Sequence, residues 1–286
     1  MDFTKLQGTA NDFVLIEAEV MERDWSRLAV DICDRHYGVG ADSLLLLLPS
    51  DKADYRMVVF DADGSEAETC GNGLRCLSRY VIEKGKVSTQ QEKITVETAA
   101  GINRIKPYLE NGVITGFGAN MGKPRFKAEN IPIAPESGAG ELVDIKGLLS
   151  YSVNVDGYEL TLYLVSMGNP HAVFFTKKPV ADFPLSRLGP LVEHLPVFPR
   201  RTNFEVARIV GDNRLEARVW ERGVGETMAC GSGACAIAVV SIILEYTEHE
   251  VTIKLPGGVL ELEWNGDGEV ILGGPAEIVF EGKWPD

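Results

Sequence analysis

The sequence predicts an α+β protein of two pseudo-symmetric halves, each a mixed sheet or barrel of strands wrapped around a central helix. Three observations predict it. First, Gly64-Ser65-Glu66-Ala67-Glu68-Thr69-Cys70-Gly71-Asn72-Gly73 is echoed by Val224-Gly225-Glu226-Thr227-Met228-Ala229-Cys230-Gly231-Ser232-Gly233. In both, a Glu stands four residues before a Cys and Gly-x-Gly follows it. Each loop runs into a helical pattern, then into a matching strand, Ile94-Thr95-Val96 or Val251-Thr252-Ile253, and a turn at Gly101 or Gly258. The offset is close to half the chain, which is the mark of an internal repeat. Second, Ala234 to Glu245 is apolar on nearly every side, and such a helix must be buried all round. Third, turn signals punctuate β-rich runs about every ten residues.

The elements follow in order. Trp25 to Arg35 is amphipathic and reads as a helix. Tyr55 to Phe60 alternates and ends at Asp61-Ala62-Asp63-Gly64, a strand followed by a turn. Leu74 to Lys84 is a second helix, closed by Gly85 at the position favoured for a C-terminal stop. Lys93 to Thr98 is a strand. Residues 122 to 147 are rich in Pro, Gly and Ala and read as a connector. Glu159 to Val165, Val251 to Leu255, Gly258 to Trp264 and Ala276 to Phe280 complete the strands, with the helix Ala234 to Glu245 among them.

Composition sets the class. The chain has 286 residues, 45% of them hydrophobic and 24% charged, with a formal net charge of −14. That is ordinary for a globular protein. The acidic balance argues against nucleic acid or an anionic membrane surface as the main partner. The longest apolar runs fall short of a membrane span, and the N-terminus opens no signal-peptide pattern, so a cytoplasmic protein is expected. The five cysteines are Cys33, Cys70, Cys76, Cys230 and Cys235, and no pair has C-x-x-C spacing. The four histidines, His36, His171, His194 and His249, form no close pair. No metal site and no disulfide framework are expected. Gly118 to Pro124 has the wrong gap for a P-loop and lacks Ser or Thr after Lys123. Cys33, Cys76 and Cys235 read as small buried hydrophobes.

Cys70 and Cys230 read differently. Each stands beside the first turn of a helix, where backbone N–H groups lack partners and the dipole is positive. The setting is expected to lower a thiol pKa. The same N–H groups bind carboxylates, and the glycines allow close approach. If the halves pack about a pseudo-two-fold, both loops face one cleft. Such a cleft suits inversion of an amino-acid α-carbon: one Cys removes the proton as thiolate, the other returns one to the opposite face. The helix ends would stabilise the charge developing on the carboxylate, and no cofactor is needed.

Ordered blocks across nearly the whole chain then resemble a known family. They are Gly8-Thr9-Ala10-Asn11-Asp12-Phe13, Gly38-Val39-Gly40-Ala41-Asp42, Ala62 to Glu66, Cys70 to Cys76, Gly168-Asn169-Pro170-His171, Glu221-Arg222-Gly223 and Glu226 to Ala236. Together they are similar to diaminopimelate epimerase. The resemblance implies a cofactor-independent two-base epimerase with Cys70 and Cys230 as the acid/base pair, acting on LL- and meso-diaminopimelate and usually a homodimer. The internal echo predicts halves of residues 1–118 with the C-terminal strand 275–286, and residues 119–274; the resemblance implies two such α+β domains, the last strand returning to the first. By position, Asn11, Asn72, Asn169, Asn203, Glu221 and Arg222 match substrate-binding residues, as do the loops at Gly71 and Gly231-Ser232. His171 and Glu221 join the catalytic set, His171 to orient or tune a cysteine. Arg222 is expected to clamp the distal carboxylate, or else to pair with Glu221 or Glu226. Glu66 and Glu226 read as caps, and Asn11 also as a turn residue. Two positions depart: the family commonly has Asn at Asp61 and Gln or Gly at Ser43, which bears on the far end of the substrate.

Rival readings are a Cys230–His171 hydrolase, a redox protein bridging Cys70 and Cys230, a non-catalytic amino-acid binding protein, and a racemase of another amino acid such as histidine or lysine. The hydrolase leaves the duplicated Cys loop unexplained.

Overall fold

The computed structural model describes residues 1–67, 70–88 and 91–285; Glu68 and Thr69 of the first cysteine loop lie outside them. The expected α+β class holds: strands dominate, and the described residues carry four α-helices. These are α1 (Trp25–Cys33), α2 (Gly71–Glu83), α3 (Leu185–Glu193) and α4 (Gly231–Ile243). The chain forms two compact units, Met1–Asn120 with Gly273–Asp286, and Met121–Leu272.

In unit 1, Glu277–Lys283 pairs antiparallel with Asp2–Gly8, which pairs antiparallel with Asn11–Glu17. Asn11–Glu17 lies parallel to Ser43–Leu48, and α1 makes the crossover that a parallel pair requires. Ser43–Leu48 is antiparallel to Tyr55–Asp61, which lies parallel to Ile94–Thr98 with α2 as its crossover. Gly101–Glu110 and Val113–Asn120 then follow as antiparallel hairpins. Every residue of Ser43–Leu48 is buried, because it is sandwiched. Leu44, Leu46 and Leu48 pack with Trp25, Leu28 and Ile32 of α1, while Leu45 and Leu47 pack with Leu74, Leu77 and Val81 of α2. The period of two in a strand delivers this split.

Unit 2 repeats the order. Leu148–Val155, Tyr158–Ser166 and Pro170–Phe175 run antiparallel. Pro170–Phe175 lies parallel to Asn203–Gly211 across α3, and Arg214–Glu221 lies parallel to Glu250–Leu255 across α4. Residues Gly233 to Ser241 of α4 are all buried, which accounts for a helix with no polar face.

Several elements differ from expectation. Both helices after the cysteine loops begin three residues earlier than Leu74 and Ala234, because the cysteines themselves cap them. The final strand is Glu277–Lys283 rather than Ala276 to Phe280, extended by its pairing with Asp2–Gly8. The presumed connector 122–147 contains a strand, Glu141–Ile145, paired with Leu148–Val155. Helix α3 has no sequence signal, since Gly189-Pro190 lies inside it. Gly189 is needed there: a Cβ would sit 2.4 Å from the Trp220 ring.

Candidate active site

Cys70 is the N-cap of α2 and Cys230 the N-cap of α4, both on extended backbone. Each Sγ accepts from the N–H of the glycine three residues on, Gly73 or Gly233, at 3.4 Å. Ser, Thr, Asp and Asn are the preferred caps, and sulfur is a weaker acceptor. A cysteine at the same cap position in both units is therefore chosen for something other than helix stability. Gly73 also lets the helix sit on the strand below, since a Cβ would come 3.1 Å from Leu45 Cδ2.

The expected lowering of the thiols is not what the structure gives. Burial pushes Cys70 up, against the Gly73 N–H and the Arg75 charge. Cys230 goes well above the usual thiol range, through burial first and then the Glu221 and Glu205 charges, against Ser232 and the Gly233 N–H. The helix-start effect is present, and desolvation outweighs it.

Around Cys70, the Asn72 amide donates to Asn11 Oδ1 at 3.0 Å, and Asn11 donates to Asp42 at 2.8 Å. The Cys70 thiol lies 3.9 Å from the same Asn11 oxygen. Asn11 is thus more than a turn residue; the left-handed backbone falls on Thr9 and Ala10 before it. The buried Arg75 guanidinium donates to Thr9 Oγ1 at 3.0 Å and braces that turn. Ser43 and Asp61 face each other across their strands, and the Ser43 hydroxyl donates to Asp61 Oδ1 at 2.9 Å. The two departures from the family pattern are one hydrogen-bonded pair. Gly71 opens α2, and the first intrahelical bond starts only at Leu74 N–H, leaving the Gly71 and Asn72 amides ahead of it.

Around Cys230, Ser232 Oγ lies 3.5 Å from Sγ, and Asn169 Nδ2 donates to Ser232 at 3.4 Å. Asn169 Oδ1 accepts from His171 Nε2 at 2.9 Å, and His171 Nδ1 meets Glu205 Oε1 at 2.7 Å. A hydrogen-bonded string thus runs from a buried carboxylate to the thiol. Glu221 Oε1 accepts from Thr227 at 2.6 Å. Asn203 does not project into open space: its amide donates to the Pro170 carbonyl and accepts the Arg222 N–H. Arg222 is exposed and among the described residues forms no ion pair; its guanidinium donates only to the Arg200 carbonyl, at 3.4 Å. Glu226 is taken instead by Arg218, bidentately at 2.7 and 2.9 Å, so Glu226 is no cap. Glu66 lies exposed on a two-residue strand. Gly231 opens α4 as Gly71 opens α2.

Glu205 was not singled out from sequence, although a carboxylate within the apolar run Phe204-Glu205-Val206-Ala207 is a signal. Burial pushes its carboxyl up, against the pull of His171. The matched positions in unit 1 are Phe13 and Leu45: Phe13 stands opposite Ser43 as His171 stands opposite Asn203, and Glu205 touches Gly233 as Leu45 touches Gly73. Unit 1 therefore shows the apolar version of the same core site. Glu205→Leu or His171→Phe alone should cost about 3–5 kcal/mol, because each strands the other's polar group. The double variant should regain wild-type stability or exceed it by about 1–4 kcal/mol. Urea unfolding of the four proteins decides; equal, additive losses would contradict the pairing.

Solved structures share this fold. The chain superimposes on a PhzF-family phenazine biosynthesis protein from Bacillus anthracis with TM-score 0.71 and 16% identity, covering 99% of this chain and 98% of that one. A probable proline racemase from Agrobacterium radiobacter gives TM-score 0.68 at 14% identity, covering 99% and 92%. This chain shares its α+β fold class with these proteins. A family model described as diaminopimelate epimerase matches residues 3–127 and 163–279. A diaminopimelate epimerase from Moorella thermoacetica is 45% identical over 100% of this chain and 99% of its own length. The chain belongs to the diaminopimelate epimerase family, a family of isomerases.

Proposed function

We infer that this chain epimerises diaminopimelate, interconverting the LL and meso forms by proton transfer at one α-carbon, with Cys70 and Cys230 as the two bases. The observation that carries the reading is the duplication: two matched units, each with a cysteine capping a buried helix through the same 3.4 Å contact. One thiolate removes the α-proton and the other thiol delivers its own to the opposite face. The electron pair left on carbon is delocalised into the adjoining carboxylate, and the amides ahead of the first helical bond suit that charge. A thiol raised by burial gives a stronger base once ionised, which suits a weakly acidic C–H. The substrate carries two ammonium and two carboxylate groups. Among the described residues the Arg222 guanidinium has no carboxylate partner, and Asp61 and Glu221 are carboxylates whose charges reach Cys70 and Cys230. His171 and Glu221 act on Cys230, and Asn11, Asn72 and Asn169 hold the substrate's polar groups. Two domains divided near residues 118 and 274, a homodimer and a cytoplasmic location belong to the same reading; among the described residues no helix is long and apolar enough to cross a membrane.

The test is one diaminopimelate stereoisomer in deuterated water. At early times the inverted product should carry α-deuterium while recovered substrate stays protiated. Equal labelling of both would mean one base serving both faces, and no exchange at all would remove the function.

A further inference from the structure

In unit 2 the turn after Arg214–Glu221 is held from two sides. The Arg222 N–H donates to Asn203 Oδ1 at 2.9 Å, and the next amide, Gly223 N–H, donates to Glu193 Oε1, also at 2.9 Å. Two consecutive amides are thus caught by two buried side chains from different elements. Glu193 is the last residue of α3, and its side chain is 4% exposed. Its other oxygen accepts the Trp220 indole N–H at 2.7 Å, and Arg201 Nη1 lies 3.3 Å from Oε1. The Trp220 ring in turn lies against Gly189 of α3. Burial alone would raise the Glu193 carboxyl, but the indole and Gly223 N–H bonds outweigh it and hold it below the usual carboxylate range.

Unit 1 supplies the comparison. The residue at the end of α1 is Cys33, and Phe60 occupies the strand position that Trp220 holds in unit 2, each paired with the corresponding Glu of the short strand. Among the described residues, the carboxylate brace is found in the unit whose turn carries an arginine.

We propose that Glu193 is a positioning residue: by pinning the Gly223 amide and the Trp220 indole it fixes the backbone of Arg222 and so aims that guanidinium at a carboxylate of the substrate. The claim rests on the functional reading above for the identity of the substrate, but not for the pinning. Nothing in Glu193 need touch the substrate. Loss of the brace acts on ground state and transition state alike, so it should appear mainly in KM.

The experiment uses the full chain with Glu193→Gln and Glu193→Leu. Hydrogen exchange at the Gly223 amide, followed by mass spectrometry, should quicken by roughly 10- to 100-fold in Glu193→Leu, the range for a hydrogen bond to a charged acceptor. Amides of α4 should not change. Glu193→Gln keeps an acceptor and should fall between the two. KM for diaminopimelate should rise at least about tenfold in Glu193→Leu, with kcat lowered less than threefold. Should Glu193→Leu fail to fold, Glu193→Gln and Trp220→Phe carry the same two readouts with smaller shifts. Unchanged exchange at Gly223, or faster exchange with unchanged KM, overturns the proposal. A wild-type protein inert toward diaminopimelate defeats the functional reading instead, and leaves the exchange result to decide the pinning.

Discussion

Cys70→Ala and Cys230→Ala should each reduce epimerisation by about 10²–10⁴-fold or more, since each removes one of the two proton-transfer groups. The two variants should not be silent in the same way. In deuterated water, each retains one thiol and can still exchange the α-hydrogen of the stereoisomer whose proton faces it, without inverting the centre. Cys70→Ala should label one isomer and Cys230→Ala the other. Chiral separation followed by mass spectrometry reads both outcomes. Two variants that label the same isomer would show that the thiols do not address opposite faces. Substantial inversion by either variant would remove that cysteine from the mechanism. Serine in place of either cysteine keeps an N-cap of the preferred type. A Ser variant that is stable but inactive therefore separates acid–base chemistry from helix capping.

The second large effect concerns Arg222. Arg222→Gln should raise KM for diaminopimelate by about 10²-fold, the loss expected when a charge-assisted bidentate contact is removed. Unfolding midpoints should hardly move, because Arg222 is exposed and among the described residues its guanidinium donates to a single carbonyl. Arg218→Gln is the control with the opposite signature. Arg218 is engaged with Glu226 through two oxygens and donates to the Val180 and Phe183 carbonyls, so its loss should lower stability first. Arg222→Lys should recover only part of the affinity, since a single ammonium cannot match the planar fork. An Arg222→Gln enzyme with unchanged KM would rule out the carboxylate contact.

Much of this site is legible in the residues because it is written locally. Cys-Gly-x-Gly before an apolar run announces a cap and a close backbone approach, and the repetition of that motif announces the second unit. The helix α4 is legible because no amphipathic alternative exists for Ala234 to Ile243. What stays hidden depends on contacts far apart in sequence. The sign of the thiol shift is one case: a helix start is visible in sequence, but the burial that outweighs it is not. Helix α3 is another, since Gly189 and Pro190 read as breakers until Trp220 is seen against the glycine. Asn203 is a third case, since its amide donates to the Pro170 carbonyl and accepts the Arg222 N–H, partners distant in sequence.

The way unit 1 is assembled has a consequence for how the polypeptide acquires its shape. Its first strand, Asp2–Gly8, is flanked by Glu277–Lys283, and the Met1 amine donates to the Trp284 carbonyl at 2.7 Å. Unit 2 is one uninterrupted stretch, so during synthesis it can fold as soon as Leu272 has emerged. Unit 1 must wait, with the edge of Asp2–Gly8 unsatisfied, until the last strand leaves the ribosome. Long-range pairing of this kind is slow to form and leaves an adhesive strand edge open meanwhile. The interval between synthesis of Asn120 and of Lys283 is therefore when the nascent chain is most exposed to misassembly, and losing the final strand should harm unit 1 far more than unit 2.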